Sequence, residues 1–217
     1  MIIFENTPNR AGIILWGDYL DLDSLYEAIH RLFDETFGNE GVQNNILALA
    51  YDVRKAKELQ REQKTFGYDE FDQVEYRGAP ILWPILIFQI NLLKQFAKPI
   101  CAGKQELAHI YQLEACAEKA LLEFDPVTGK QCIELMNKPI KVWLDYLSEI
   151  ISEVTIDFLS EDDGEKRFKN LPKLLKRLYP ASSYYRNFKQ DIETAAKEHG
   201  CDPQIMRMNA EWPDFEW

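Results

Sequence analysis

The chain opens with two short apolar runs whose spacing is typical of a β-hairpin. Residues 2–4 form the first run and residues 12–16 form the second. Residues 7–10 between them include a proline, which fixes φ, and an asparagine, which tolerates a left-handed conformation. Gly17 then ends the second run. The first twenty residues therefore predict an antiparallel β-hairpin.

After the hairpin, apolar residues recur every three to four positions, which is the period of an α-helix. A helix over residues 22–37 presents one apolar stripe, and Asp21 or Asp23 can cap its first N–H groups. A second helix, over residues 42–64, has apolar residues on two faces. Further helices are predicted over residues 80–98, 104–123, 129–136, 139–159, 171–179 and 182–199.

Residues 67–78 are acidic and aromatic and are predicted to form a loop. Within it, residues 73–76 are a candidate third strand beside the hairpin. We see no internal repeat and no linker long enough to require two domains. The prediction is one α+β domain, predominantly α and bundle-like. Its parts are a hairpin at residues 1–20, a helical body at residues 21–200 and an acidic, aromatic tail at residues 201–217.

Composition and charge narrow the class of protein. Hydrophobic residues make up 46% of the chain and aromatic residues 12%, which favours a folded core over disorder. The net charge of -11 argues against binding to nucleic acid or an anionic membrane, because their phosphates are repelled at long range. Residues 79–88 are the most apolar stretch and fall short of the roughly 20 residues that span a bilayer. With no signal-peptide pattern and four scattered cysteines, we expect a cytoplasmic protein with buried, reduced thiols.

Two Glu-x-x-His pairs are the sharpest sign of metal chemistry. They are Glu27 with His30 and Glu106 with His109. Metal-binding bundles present such pairs inward, but the apolar stripe of the first helix turns Glu27 away from the core, so we expect no metal and no cofactor. Glu114 lies within an apolar stripe, where its carboxylate is partly desolvated. Glu114, Glu106 and His109 are therefore the catalytic candidates, and the favoured alternative is that Glu114 pairs with a cation of a neighbouring helix.

Positive charge is concentrated in one segment. Residues 166–190 hold eight basic residues and no acidic ones, so this segment carries +8 and the remainder -19, from -11 minus 8. Basic residues interleaved with aromatic ones can bind single-stranded nucleic acid. We favour the alternative that these cations pair with carboxylates of the same chain, and we expect no nucleic-acid partner. The candidate binding residues are Lys169, Lys173, Arg177, Tyr184 and Tyr185.

Two more clusters are candidates for binding. Trp212, Phe215 and Trp217 lie in the acidic tail. Such side chains dominate interface energies when they fill pockets. We favour docking onto the chain's own domain, because exposed tryptophans promote aggregation, and a second subunit or a partner protein is the alternative.

The other cluster lies on the second predicted helix and consists of Tyr51, Asp52 and Arg54. Asp52 and Arg54 flank the core stripe of that helix, where they can reach a neighbouring element. We interpret the cluster as a polar clasp between helices, with a ligand site as the alternative.

Three stretches of sequence carry a resemblance to a known family. They are Gly17-Asp18-Tyr19-Leu20-Asp21-Leu22, Tyr51-Asp52-Val53-Arg54-Lys55-Ala56 and Leu82-Trp83-Pro84. Together they resemble an uncharacterised family of bacterial proteins of similar length, of the domain-of-unknown-function kind. The resemblance covers the N-terminal half of the chain and implies a bacterial origin and a compact single domain. It carries no reaction, cofactor or catalytic residue to transfer.

The leading hypothesis from the sequence is a non-enzymatic protein that binds a protein partner or associates with itself. This step rests on composition and on analogy between folds. An enzyme that uses carboxylates or a metal in a helical bundle is the alternative. Weak nucleic-acid binding through residues 166–189 is the third hypothesis.

Overall fold

In a computed structural model the chain forms a four-stranded antiparallel sheet and a set of helices. The structure describes residues 1–34, 40–67, 72–98, 102–203, 206 and 211–217. The strands are β1 (Ile3–Asn6), β2 (Gly12–Gly17), β3 (Glu62–Phe66) and β4 (Val74–Leu82). The helices are α1 (Tyr19–Asp34), α2 (Glu40–Lys57), α3 (Trp83–Ala97), α4 (Lys104–Phe124), α5 (Pro126–Asn137), α6 (Leu147–Leu159), α7 (Gly164–Leu175) and α8 (Ser183–His199). A 3-10 helix, Lys176–Leu178, follows α7. The predicted fold class, α+β and mainly α with an N-terminal hairpin, is confirmed.

The sheet has the strand order β1-β2-β4-β3. β1 and β2 form the predicted hairpin, with Ile3 opposite Trp16, and β4 contains most of the predicted third strand. The prediction of a helix over residues 42–64 is wrong beyond Lys57, where α2 ends. Leu59 follows with φ 61, a left-handed conformation that a helix cannot continue through, and β3 begins soon after it. The body over residues 21–200 is therefore not wholly helical.

The sequence predicted Pro80 at the start of a helix. In the structure Pro80 lies within β4 instead. It lies opposite Ile14 of β2, while the pairing of β4 with β3 reaches only as far as Gly78. Proline is tolerated in a strand where no neighbour requires its missing N–H. α3 then begins at Trp83, with Pro84 in its first turn.

Helices α1 and α5 each begin about three residues earlier than predicted, and two further helices differ by more. α6 begins at Leu147, later than expected. α7 begins at Gly164, earlier than expected, because the Asp163 side chain accepts hydrogen bonds from two backbone N–H groups of the first turn. The last residues of the predicted first helix, 35–37, lie outside the described residues.

The environment of α3 explains its composition. It contacts α1, α2, α4, α5, α6 and β4, so nearly every side chain along it is buried. A helix that is apolar on all faces is typical of such a central position. One face of the sheet, including Ile13, Leu15, Ala79 and Ile81, completes the core. Among the described helices, none is both long and apolar enough to cross a membrane.

The described cysteines are free thiols. Cys116 and Cys132 are buried as expected, whereas Cys201 is partly exposed. Cys101 lies outside the described residues. Burial raises the pKa of Cys132 to about 12, so this thiol stays protonated at neutral pH.

Buried in α3, Asn91 holds the end of another helix. Its Nδ2 donates to the carbonyl groups of Met136 at 2.8 Å and Lys138 at 2.7 Å. Its Oδ1 accepts from the backbone N–H of Ile140 at 3.3 Å. The last carbonyl groups of a helix have no partner within the helix. The Asn91 side chain supplies one for the C-terminus of α5.

We predict that Asn91→Leu lowers the free energy of unfolding by about 2–4 kcal/mol, because it leaves buried carbonyl and N–H groups without partners. Urea denaturation followed by circular dichroism measures the change. The control is Asn187→Leu at an exposed asparagine of α8, which should change stability by no more than about 0.5 kcal/mol. Equal stability of the two variants would contradict the role of Asn91.

Candidate functional site

The carboxylate of the catalytic candidate Glu106 already has bonding partners at the start of α4. Its buried carboxylate forms an ion pair with Arg31 of α1. A hydrogen bond from its own backbone N–H, together with the Arg31 charge and the Gly103 N–H, holds the pKa of Glu106 below its ordinary value. A glutamate that reaches back to the residue preceding its helix forms one half of a capping box. Glu106 is therefore placed to cap α4.

Glu114, the second catalytic candidate, pairs with Lys94 of α3, and Lys94 also donates to the Asn137 side chain. This ion pair between two helices is the one that we favoured over a catalytic role for Glu114. Glu106 and Glu114 lie about 12 Å apart along the axis of α4, from eight residues of helical rise. His109 is half-buried between them. No group of three or more His, Cys, Asp or Glu side chains that could hold a metal occurs within the part of the chain that the structure describes.

We predict that Glu106→Gln makes stability less sensitive to acid. Because the folded protein lowers the pKa of Glu106, the carboxylate stabilises the fold above its ordinary pKa of 4.5. That contribution is lost as pH falls through the lowered value. Melting temperatures measured from about pH 7 to about pH 3 should fall less steeply in the variant. Glu62→Gln, at an exposed glutamate of β3, is the control and should keep the wild-type slope.

Half of the eight cations of the basic segment form ion pairs among the described residues. Lys169 lies 2.5 Å from Glu165, and Arg177 pairs with Asp157. Lys173 is exposed. These ion pairs agree with the favoured interpretation that the cations pair with carboxylates of the same chain, and nucleic-acid binding by this segment stays the third hypothesis.

The two tyrosines of the basic segment are also engaged. The Arg177 guanidinium lies 4.3 Å from the centre of the Tyr184 ring, and the Tyr184 hydroxyl donates to Glu153. Burial, followed by the nearby Glu153, raises the pKa of Tyr184. The Tyr185 hydroxyl donates to the Asp145 carbonyl at 3.0 Å. Tyr185 is buried and one face of the Tyr184 ring is covered by Arg177, which limits the base stacking through which single-stranded nucleic acid is bound.

The cluster on α2 makes local contacts. Asp52 pairs with Arg61 at 3.1 Å, and Arg54 lies over the ring of exposed Tyr51, 5.5 Å from its centre. Burial raises the pKa of Asp52, and the Arg61 hydrogen bond opposes this effect. The expected clasp between helices is therefore wrong in one respect, because Arg61 lies just before β3 and not on another helix.

The tail returns to the hairpin. The backbone N–H of Asn9 donates to the Trp217 carbonyl at 3.1 Å. Phe215 packs against the core, and its ring centre lies 5.2 Å from that of Trp217. Trp212 is 51% exposed. Two of the three candidate aromatic residues of the tail thus contact the chain's own domain or one another.

We predict that deleting residues 211–217 lowers stability by about 1–3 kcal/mol, because Phe215 loses its burial. For a chain of this size, each kcal/mol shifts the melting temperature by about 2–4 °C. Differential scanning calorimetry measures the shift, and Trp212→Ala is the control with little expected effect. An unchanged melting temperature and oligomeric state would favour an external partner for the tail.

β1 is an edge strand with unpaired backbone groups. The N–H of Thr7 donates to the Gly12 carbonyl at 3.2 Å. The backbone N–H and C=O groups of successive residues in a strand point in alternating directions. Those of Ile3 and Glu5 therefore also bond to β2, while the N–H and C=O of Phe4 point away from it. Among the described residues, none forms a hydrogen bond with these two groups of Phe4. They are available to a further strand.

A groove of about 550 Å³ lies beside this edge, between β1 and α4. One wall is formed by residues 1–6. The other wall consists of α4 side chains that recur every three to four positions and therefore share one helix face. They are Gln112, Ala115, Cys116, Lys119 and Glu123. We call this space the β1–α4 groove.

Three contacts fix α4 beside β1. The Cys116 thiol donates to the Ile2 carbonyl at 3.6 Å. The Asn6 side chain donates to the Ala120 carbonyl at 3.3 Å. The Lys119 ammonium lies 5.6 Å from the centre of the Phe4 ring. Burial raises the pKa of Cys116, which keeps the thiol protonated and able to donate.

The two edges of the sheet differ in chemistry. At the other edge, residues 62–65 of β3 are exposed and include the charged side chains Glu62 and Lys64. Charged side chains on an edge strand discourage pairing with other chains. β1 instead begins with Ile3 and Phe4, which are only partly exposed, and Glu5 is its one charged residue. The β1 edge is therefore the better surface for adding a strand.

The β1–α4 groove was not predicted from the sequence. The predicted apolar stripe lies on the opposite face of α4, and no site was predicted at Ala115, Lys119 or Glu123. Small and charged residues at helical spacing carry little information about a groove. The one available signal was the apolar start of the predicted hairpin, which had no assigned neighbour on its outer side.

Comparisons with known proteins give one match. A family model described as Domain of unknown function (DUF6904) matches residues 2–217. The match extends well beyond the N-terminal half that carried the resemblance. No curated protein and no solved structure matches the chain.

Proposed function

The chain belongs to the DUF6904 family, and we propose that it is a non-enzymatic interaction protein that binds an extended segment of a partner protein in the β1–α4 groove. The single observation that carries this proposal is the free backbone edge at Phe4, which faces the groove. Cytoplasmic localisation, as expected from the sequence, is part of the same proposal.

Addition of a strand to a sheet edge supplies both affinity and specificity. Main-chain hydrogen bonds hold the added segment, and pockets for alternate side chains select its sequence. β1 has four residues and spans about 13 Å, enough for a short extended segment. Ala115 is exposed and Cys116 is small, so this part of the wall has room for a large side chain.

Self-association through the same edge is less favourable. If β1 of a second copy added in antiparallel fashion about Phe4, the two Phe4 rings would approach one another. Lys119 lies beside Phe4, so the two ammonium groups would also approach, and like charges repel. A partner with a different sequence avoids this cost.

We predict that Ala115→Trp fills the groove and weakens peptide binding at least about tenfold. The purified full chain is screened against a displayed library of random seven-residue peptides. Enriched peptides are then synthesised and titrated by fluorescence anisotropy. Ala108→Trp, at an exposed alanine of α4 that does not line the groove, is the matched control and should bind as the wild type does.

Two results would contradict the proposal. One is a library that yields no binding peptide, and the other is equal binding by both tryptophan variants. Light scattering is measured in parallel. A wild-type dimer that Ala115→Trp dissociates would instead favour self-association through β1. Hydrogen exchange adds a direct readout, since the Phe4 amide should exchange more slowly when peptide is bound.

A further inference from the structure

Resting on the proposed function, we propose that the β1–α4 groove selects its partner by a charge pattern. The bound strand presents to α4 an acidic residue at Lys119, a basic residue at Glu123 and a large apolar residue over Ala115 and Cys116. The partner is thus an extended peptide in which these three residues alternate with others.

Lys119 provides a positive charge in the middle of the groove. It is exposed, and it is absent from the ion pairs formed among the described residues. Its ammonium group is held beside the Phe4 ring, 5.6 Å from the ring centre. Attraction to an aromatic face leaves the charge available to a second, anionic group.

Glu123 provides a negative charge at the end of the groove. It lies in the last turn of α4, and this turn contains no basic residue. The C-terminus of a helix carries partial negative charge and favours cations. The carboxylate therefore adds to the helix dipole where a positive side chain would stabilise it. Lys119 lies one turn away but does not form an ion pair with Glu123 in the structure.

The spacing of the two charges fits an extended strand. Lys119 and Glu123 are four residues apart, or about 6 Å along the helix axis. Side chains on one face of a strand recur every two residues, or about 6.7 Å. Ala115 lies a further turn away, about 6 Å in the opposite direction. Three alternate residues of a bound strand can therefore meet these three positions.

The direction of α4 sets the order of the pattern. Cys116 contacts Ile2 and Ala120 contacts Asn6, so α4 and β1 advance in the same direction. An antiparallel strand added to β1 runs from Glu123 toward Ala115. Its order along the chain is then basic, acidic and apolar, with one residue between each pair.

The experiment uses two capped, fluorescently labelled seven-residue peptides. The first is Thr-Lys-Thr-Asp-Thr-Phe-Thr, and in the second the lysine and the aspartate are exchanged. Both have the same composition and net charge, so long-range repulsion by the acidic protein cannot distinguish them. Anisotropy titrations should show the wild-type chain binding the first peptide about tenfold more tightly, with a difference that shrinks at high salt.

The matched variant exchanges the two charges on α4. Lys119→Glu combined with Glu123→Lys keeps the net charge and should invert the preference for the two peptides. Equal binding of both peptides, blocked by Ala115→Trp, would overturn the charge pattern and leave the groove intact. The same conclusion follows if library-selected peptides bind and these two do not. If no peptide of either kind binds, the proposed function itself fails.

Discussion

A single amide buried in an apolar helix positions much of the molecule. Asn91 binds the C-terminal carbonyl groups of α5 from within α3, where few other polar side chains occur. The Tyr179 hydroxyl reinforces it, because its one proton lies between the Leu135 and Lys138 carbonyl oxygens, which are 2.9 and 3.1 Å from the hydroxyl oxygen. Burial raises the pKa of Tyr179 to about 12, so its proton remains available for donation. One residue, Asp125, separates α5 from α4 and caps α5. Because α4 also packs along α5, the network at the C-terminus of α5 helps to position α4 and with it one wall of the β1–α4 groove.

The extent to which the fold could be predicted varied with the range of the interactions. α4 and α8 were placed almost correctly, because their apolar stripes and boundaries are local signals. β3 and β4 were not, because strand pairing depends on residues far apart in sequence. Gly78 illustrates this point: a Cβ there would lie 2.7 Å from the Trp16 ring, so the glycine makes room for an aromatic side chain some sixty positions earlier. The prediction for Pro80 was wrong for a similar reason. Proline is tolerated at this position of β4 because the pairing with β3 stops before it.

The candidate sites show the same division. Residue types with evident chemistry drew attention in the sequence, and the structure pairs several of them within the fold, as it does Glu114 with Lys94 and Arg177 with Asp157. Such partners lie on different helices, so the spacing of residues along one helix does not reveal them. The β1–α4 groove depends instead on the backbone of Phe4 and the small size of Ala115. The sequence shows an apolar start to β1 and an alanine at position 115, but it does not show that they border a groove, because an edge strand is defined by the absence of a neighbour in the folded sheet.

The turn between β1 and β2 contacts residues that are translated much later. The buried Arg167 guanidinium donates to the Asn9 carbonyl at 3.1 Å, across 158 positions of sequence. Gly164 approaches the same carbonyl so closely that a Cβ would lie 2.5 Å from it. Contacts this distant in sequence require large loops to close and slow the folding of a chain. During synthesis the hairpin therefore emerges well before α7 yet acquires its full set of contacts only after α7 has formed. Until α4 arrives, the apolar start of β1 stays uncovered, so the segment proposed to recognise a partner is also the one most exposed to premature pairing in the nascent chain.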